Sequence, residues 1–278
     1  MAGATTEGSK IVPNVTITTG DGMAFDIDCG ARGWFHAKVS RYVNLREQFD
    51  AHRLAFQRFA AVVPEPVAHF NIDGIEILIA RSVEFEPLSQ CDLTTRRWQN
   101  RLIEFFELTR ETAPSIDGRS NHIDTATALG TFFEKLDGPH SSRSQYVADT
   151  FRSLELASLV IPQHGDFSIN NLGRYRGRLI VFDWEDYGAV DMAGFDICVL
   201  ALSTIRMDPA HVAEIRAVAR PKNKPWAIAK PACDAIGLAY VDFRRLLPLY
   251  LLLFRFLKRN YATGVRERTD RLVAALLD

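Results

Sequence analysis

Two different hydrophobic patterns divide this chain. Up to about residue 80, short apolar segments alternate with polar positions and are separated by turn residues, a pattern that predicts β-strands. The five predicted strands are IVPNVTITT, MAFDIDC, WFHAKVS, PVAHFNI and IEILIA. One helix interrupts them, because the segment after Asn44 carries Phe49, Leu54, Phe56 and Phe59 at helical spacing.

Beyond about residue 90 the apolar positions recur mainly with a helical period. Helices are predicted over 95–112, 124–136, 141–159 and from 194 to the end, with breaks near Pro221, Pro225 and Pro231. The most apolar run, Leu246 to Phe254, is too short to span a bilayer and is predicted to be a buried helix.

Together the two patterns predict an α+β protein with two lobes. The small N-terminal lobe, residues 1–82, is an antiparallel β-sheet with one helix, and residues 83–278 form a larger, mainly helical lobe. The connecting hinge is expected near Arg81 to Pro87.

Composition narrows the function classes. The net charge of -1 gives no general attraction to nucleic acid or to a membrane surface. The first ten residues are polar and lack the apolar core of a secretory signal, so we expect a cytoplasmic protein. The four cysteines form no CxxC pair, which argues against a zinc site or a disulfide framework and favours buried free thiols.

One segment concentrates residues that suit phosphoryl transfer. It contains His164-Gly165-Asp166-Phe167-Ser168-Ile169-Asn170-Asn171 and continues to a strand that ends at Asp183-Trp184-Glu185. Asp166 is a candidate general base for an attacking hydroxyl. Asn171 and Asp183 offer the hard oxygen atoms that Mg²⁺ prefers. We therefore expect these three side chains to converge around a divalent ion, although each could also serve an ordinary turn.

HGDFSINN followed by VFDWE resembles the catalytic and metal-binding segments of the aminoglycoside phosphotransferase and choline kinase superfamily. The resemblance implies a bilobal protein-kinase-like fold, ATP and Mg²⁺ as cofactors, and transfer to a small molecule. It implies that Asp166 is the catalytic base, that Asn171 and Asp183 hold magnesium, and that His164 supports the catalytic loop. It also implies a structural role for Asp196, which would begin a helix and anchor that loop.

The same template assigns roles in the N-terminal lobe. Lys38 lies on the third strand, where kinases place a lysine against the α- and β-phosphates of ATP. Glu47 would pair with Lys38, and Asp50 is the reserve partner. An alternative stays open for Glu47, because Asn44 and Glu47 have the spacing of a capping box.

The phosphate-covering hairpin and the adenine site have weaker signals. Gly20 and Gly22 lie in the turn where the template puts a phosphate-covering loop, but a third glycine is lacking and Asp-Gly is common hairpin chemistry. Adenine would meet backbone groups of Ala80 and Ser82.

The acceptor is less well specified. It could be a sugar, an amino alcohol or an aminoglycoside-like compound. Residues 201–260 contain eleven lysines and arginines against four acids, which mildly favours a neutral or anionic acceptor over a polycation. The oligomeric state has no sequence signal.

Three other readings remain open at the sequence level. The main one is a catalytically inactive, kinase-like nucleotide-binding module. A metallohydrolase using His164, Asp166 and Asp183 is a second, and it is disfavoured by the scattered histidines. A protein kinase is a third, and it is disfavoured because DWE replaces DFG.

Overall fold

A computed structural model describes residues 13–16, 22–113, 122–153, 160–204, 228–260 and 263–277. The chain divides into two compact units. The β unit comprises Met1–Glu86 together with Gly173–Glu185, and the helical unit comprises Pro87–Leu172 together with Asp186–Asp278.

The β unit is built on a five-stranded antiparallel sheet. Its strands are β1 (Pro13–Thr16), β2 (Gly22–Asp28), β3 (Trp34–Ser40), β4 (Pro66–Ile72) and β5 (Ile75–Arg81). Their order in the sheet is β1-β2-β3-β5-β4, so β3 is the middle strand. Each predicted strand is therefore present.

Among the described residues of this unit, one α-helix, α1 (Leu45–Phe59), packs against the sheet. Its buried Leu45 joins Leu78 and Ala80 of β5 in one apolar cluster, and Phe49 packs against them. The predicted apolar face is partly confirmed, because Phe59 is buried as expected, whereas Leu54 is exposed and the helix buries Ala55 instead.

Three short strands form a second sheet of order β6-β7-β8. They are β6 (Glu86–Pro87), β7 (Leu172–Tyr175) and β8 (Arg178–Val181). Within the β unit, the Val181 N–H donates to the carbonyl oxygen of Val62 at 2.8 Å, which ties β8 to the segment after α1.

The helical unit contains seven α-helices among its described residues. They are α2 (Arg96–Glu111), α3 (His122–Asp137), α4 (Ser142–Ser153), α5 (Phe195–Thr204), α6 (Ala229–Ile236), α7 (Tyr240–Leu257) and α8 (Thr263–Leu277). The core is formed largely by α5 and α7, because Phe195–Leu202 are buried and Leu246–Phe254 are buried except for the half-buried Pro248. The prediction of a buried helix for the most apolar run is confirmed. No helix in the described ranges has the length and apolar character to cross a bilayer.

The structure corrects two sequence predictions. Pro231 does not break a helix, since it lies in the first turn of α6, where proline is tolerated. Pro221 and Pro225 lie outside the described residues. The thiols are not all buried: Cys198 and Cys233 are, but Cys91 is exposed and Cys29 is half-buried.

Candidate functional site

Lys38 lies in the middle of the five-stranded sheet. On β3 it is paired with Ala24 of β2 and Leu78 of β5. Its ammonium donates to Asp183 Oδ1 at 2.6 Å and to Glu185 Oε2 at 3.2 Å. Burial alone would lower the pKa of Lys38, but the two carboxylates outweigh it and raise the pKa above its ordinary value. Lys38 is therefore held as a cation by two acids that follow β8.

Asp183 has a constrained backbone. It follows the buried end of β8 and has a φ of 59°, a left-handed conformation that few non-glycine residues adopt. The neighbouring Trp184 fixes this turn, because its ring stacks on Phe59 of α1 at 5.6 Å and its Nε1–H donates to the carbonyl oxygen of Val181. The Asp183 carboxylate is thus presented from a rigid turn, with 32% of its side chain exposed.

Glu47 does not pair with Lys38 in the described structure. The Nδ2–H of Asn44 donates to Glu47 Oε1 at 2.8 Å, and Asn44 Oδ1 accepts from the backbone N–H groups of Arg46 and Glu47. Glu47 therefore belongs to the N-cap of α1, as the capping alternative held. The reserve partner Asp50 pairs with Arg46 and Arg53. The expected Lys38–Glu47 pair is replaced by Lys38 with Asp183 and Glu185.

The remaining predicted nucleotide contacts lie at strand ends. Gly22 begins β2, and a Cβ atom there would come within 2.9 Å of the Val39 carbonyl oxygen, so this position requires glycine. Gly20 lies outside the described residues. Ala80 is buried within β5, and the Ser82 N–H donates to the Trp34 carbonyl oxygen at 2.9 Å. An adenine contact to the Ser82 N–H would compete with that hydrogen bond.

In the helical unit, Asp196 fixes the loop that carries His164 and Asp166. It lies in the first turn of α5 and is buried. Its carboxylate accepts from the His164 N–H at 2.6 Å and from the Gly165 N–H at 3.1 Å. Burial raises the pKa of Asp196 to about 7, although the two N–H donors act in the opposite direction.

His164 and Asn171 both act on the backbone of Asp166. The Asp166 N–H donates to His164 Nδ1 at 3.2 Å, and Asn171 Nδ2–H donates to the Asp166 carbonyl oxygen at 2.8 Å. Since His164 Nδ1 accepts this bond, any proton on the neutral ring is on Nε2. These bonds involve neither the Asp166 carboxylate nor the Asn171 side-chain oxygen.

Two packing features hold the same loop. Phe167 is buried and stacks on Phe105 of α2 with ring centroids 4.9 Å apart. Gly165 has a φ of +91°, and a Cβ atom there would lie 2.5 Å from the Cβ of Asp186. Only glycine allows the loop to approach Asp186 this closely.

A cation that the sequence analysis did not assign lies at Asp166. Lys258 follows α7, is buried, and contacts Asp166 Oδ2 at 3.1 Å and Asp186 Oδ2 at 2.8 Å. In the sequence it appeared only as one of eleven basic residues. Other members of that set form ion pairs of their own, such as Lys230 with Asp234, Arg245 with Asp242 and Arg255 with Asp270, so the linear count does not measure a surface field.

The structure therefore gathers the predicted residues into two groups. Lys38, Asp183 and the unassigned Glu185 meet in the β unit. Asp166, His164 and Asn171 share one loop of the helical unit. Within the described ranges no set of three or more His, Cys, Asp and Glu side chains is arranged to hold a metal ion. The predicted magnesium ligands are the side-chain amide oxygen of Asn171 and the carboxylate of Asp183. Mg²⁺ commonly binds a few such protein oxygens together with phosphate and water.

Comparisons with known proteins identify the fold. No protein-family model matches the chain, and no curated protein matches its sequence. Among solved structures, an ethanolamine kinase of Plasmodium vivax has a TM-score of 0.61 at 11% identity, with 98% of this chain and 83% of that chain covered.

Two further structures are similar over nearly the whole chain. The amicoumacin kinase hAmiN, in complex with AMP-PNP, Ca²⁺ and Ami, has a TM-score of 0.60 at 13% identity, with 95% and 88% covered. A thermostable mutant of an aminoglycoside phosphotransferase, in ternary complex with ADP and hygromycin B, has a TM-score of 0.50 at 14% identity, with 96% and 94% covered. The predicted protein-kinase-like fold, a β-sheet lobe and a helical lobe, is confirmed.

Proposed function

We propose that this chain is an ATP-dependent kinase of the aminoglycoside phosphotransferase and choline kinase superfamily, acting on a hydroxyl group of a small molecule. The proposal depends most on one contact. Lys38 meets Asp183, 145 positions further along the chain, at 2.6 Å. Kinases place these two residue types, a lysine of the third strand and an aspartate after a later strand, at the phosphates and the metal. We also propose a cytoplasmic location, because ATP is available there as the phosphate donor.

The donor set fits a magnesium–nucleotide complex. Asp183 and Asn171 would supply oxygen ligands to Mg²⁺, and Lys38 would contact the phosphates. Bound magnesium would supply positive charge that offsets the charge developing on the phosphate oxygens. Gly22 would let the β2 backbone approach the phosphates closely, and backbone groups near Ala80 and Ser82 would meet adenine.

Asp166 would act on the acceptor. In the proposed step the acceptor oxygen forms a bond to the γ-phosphorus, and the bond from that phosphorus to the β,γ-bridging oxygen breaks. The electron pair of the broken bond leaves with ADP, and the acceptor proton goes to the Asp166 carboxylate. His164, Asn171 and Asp196 contribute by holding the loop in place through the hydrogen bonds to its backbone.

The test is a screen for phosphorylated product with ATP and Mg²⁺ against sugars, amino alcohols, aminoglycosides and nucleosides, followed by the Asp166→Asn variant. We expect this variant to lose at least about 10²-fold in phosphoryl transfer, because the proton has no acceptor, while nucleotide affinity changes little. Asp149→Asn is the matched control, since Asp149 is exposed on α4 and pairs only with Arg152 among the described residues.

The outcomes separate the competing functions. Retained turnover in Asp166→Asn would remove Asp166 from the role of base. Stabilisation by ATP and Mg²⁺ in a thermal shift, without turnover on any acceptor, would favour an inactive nucleotide-binding module. Metal-dependent hydrolysis without nucleotide would favour a metallohydrolase.

A further inference from the structure

Lys258 is an unusual lysine because it is buried among acids. Its side chain is 4% exposed, and it lies within 3.1 Å of Asp166 Oδ2 and 2.8 Å of Asp186 Oδ2. By comparison, Lys230 of α6 pairs with Asp234 while 63% of its side chain is exposed. A buried ammonium is costly unless its charge is matched closely, and two carboxylates provide that match here.

The position of Lys258 is fixed by the fold. It is the C-cap residue that follows α7, and its backbone N–H donates to the carbonyl oxygens of Phe254 and Phe256. A positive side chain is favoured at the C-terminal end of a helix. Asp186 is fixed as well, because Gly165 packs directly against it. The three charges are therefore held together by helix, loop and turn.

This arrangement changes the charge that an acceptor meets beside Asp166. Asp166 and Asp186 alone would carry two negative charges, a pair of the kind that binds a substrate ammonium group. Lys258 supplies an ammonium from the chain itself, so that the cluster carries a net charge of -1. A second ammonium would compete with Lys258 for the same oxygens.

We propose that Lys258 is a specificity-determining residue that selects acceptors without an ammonium group beside the reacting hydroxyl, such as neutral or acidic sugars and other polyols. The inference rests on the proposed function, because it assumes that the acceptor hydroxyl approaches Asp166. It narrows the acceptor from any small hydroxyl compound to one that is neutral or anionic.

The experiment uses glucosamine, glucose and glucuronate, which share a ring and differ in charge. Transfer from ATP is measured as kcat/KM, and binding of each compound is measured by calorimetry in the presence of AMP-PNP and Mg²⁺. The wild type is expected to favour glucose or glucuronate over glucosamine. In Lys258→Met the ratio for glucosamine over glucose is expected to rise at least about tenfold, because the uncompensated carboxylates attract the amine.

Three variants control for folding and for charge. Lys258→Arg keeps the cation and is expected to keep the wild-type ratio. Lys258→Met combined with Asp186→Asn restores the net charge of the cluster, so it is also expected to keep that ratio even if Lys258→Met alone folds poorly. Lys230→Met removes an exposed lysine and is expected to change nothing.

Two results would overturn the inference and leave the proposed kinase function standing: a wild type that prefers glucosamine, or an unchanged ratio in Lys258→Met with measurable transfer to glucose. Failure of the wild type to transfer phosphate to any acceptor would instead count against the proposed function. In that case the calorimetric ratio still decides whether Lys258 disfavours an ammonium.

Discussion

Lys38 has two carboxylate partners, and they are not equivalent. Asp183 is the nearer one, at 2.6 Å, and is presented from a left-handed backbone conformation, whereas Glu185 lies at 3.2 Å. A residue that keeps an unfavourable backbone conformation is commonly one whose side chain is needed in that direction. Asp183 is therefore the better candidate for contact with the metal, and Glu185 for orienting Lys38.

This difference predicts unequal effects of two substitutions. Asp183→Ala should lower magnesium-dependent kcat/KM by at least about 10²-fold, because charge on the phosphates would be left uncompensated. Glu185→Gln should cost less than about tenfold, since Lys38 keeps its nearer partner. Steady-state kinetics over a range of Mg²⁺ concentrations measure both. Equal losses in the two variants, or full activity in Asp183→Ala, would show that the metal lies elsewhere.

At the scale of an element, α1 is organised by its cap. Asn44 accepts from two backbone N–H groups and also donates to the Glu47 carboxylate. The acid that the kinase template assigns to Lys38 is thus used to begin its own helix. The kinase template and the capping box thus assign Glu47 different partners. In this structure Glu47 contacts Asn44 at the start of its own helix.

From the N-cap of α1 we predict an effect on the free energy of unfolding. Asn44→Ala should lower the free energy of unfolding by about 1 kcal/mol, because two N–H groups of the first turn lose their acceptor. Urea denaturation measures the change, and nucleotide affinity should stay at the wild-type value. Glu47→Gln serves as the companion variant: a large loss of ATP affinity there would instead support pairing of Glu47 with Lys38 in the nucleotide complex.

For the molecule as a whole, the two units are not two consecutive stretches of sequence. Residues 173–185 leave the helical part of the chain and join the β unit. The predicted magnesium ligands are divided accordingly, with Asn171 in one unit and Asp183 in the other. Their convergence around one ion stays a prediction that a structure with bound nucleotide would test.

The cysteines allow unfolding of the molecule to be followed. Cys198 and Cys233 are buried, and burial raises the pKa of the Cys233 thiol to about 12. Only a thiolate reacts readily, so these two should be labelled by a thiol reagent only when the helical unit unfolds. Cys91 should react at once and Cys29 more slowly. Mass spectrometry against urea concentration measures this, and Cys91→Ser should remove the fast phase alone. Rapid labelling of Cys198 in native buffer would contradict the burial of this thiol.

Many of the helices and strands could be predicted from the sequence, because their patterns involve residues that are close together in the chain. Apolar residues alternate along the strands and recur at helical spacing after Asn44, because one face of each element is buried. The strands and this helix could therefore be predicted from the order of neighbouring residues. The loop of His164 to Asn171 was also recognised in the sequence, because its residue types lie close together along the chain and two of its hydrogen bonds join near neighbours.

The sequence by itself determined the elements, the motif loop and the chemical types at the site. Only the tertiary structure decided which charges meet. Lys38 pairs across 145 positions and Lys258 pairs with Asp186 across 72, and no periodicity reaches that far. A charged side chain has no intrinsic preference among distant partners of opposite sign. The choice is made when packing buries it, because a buried ammonium is stable only beside the carboxylates that the fold brings to it.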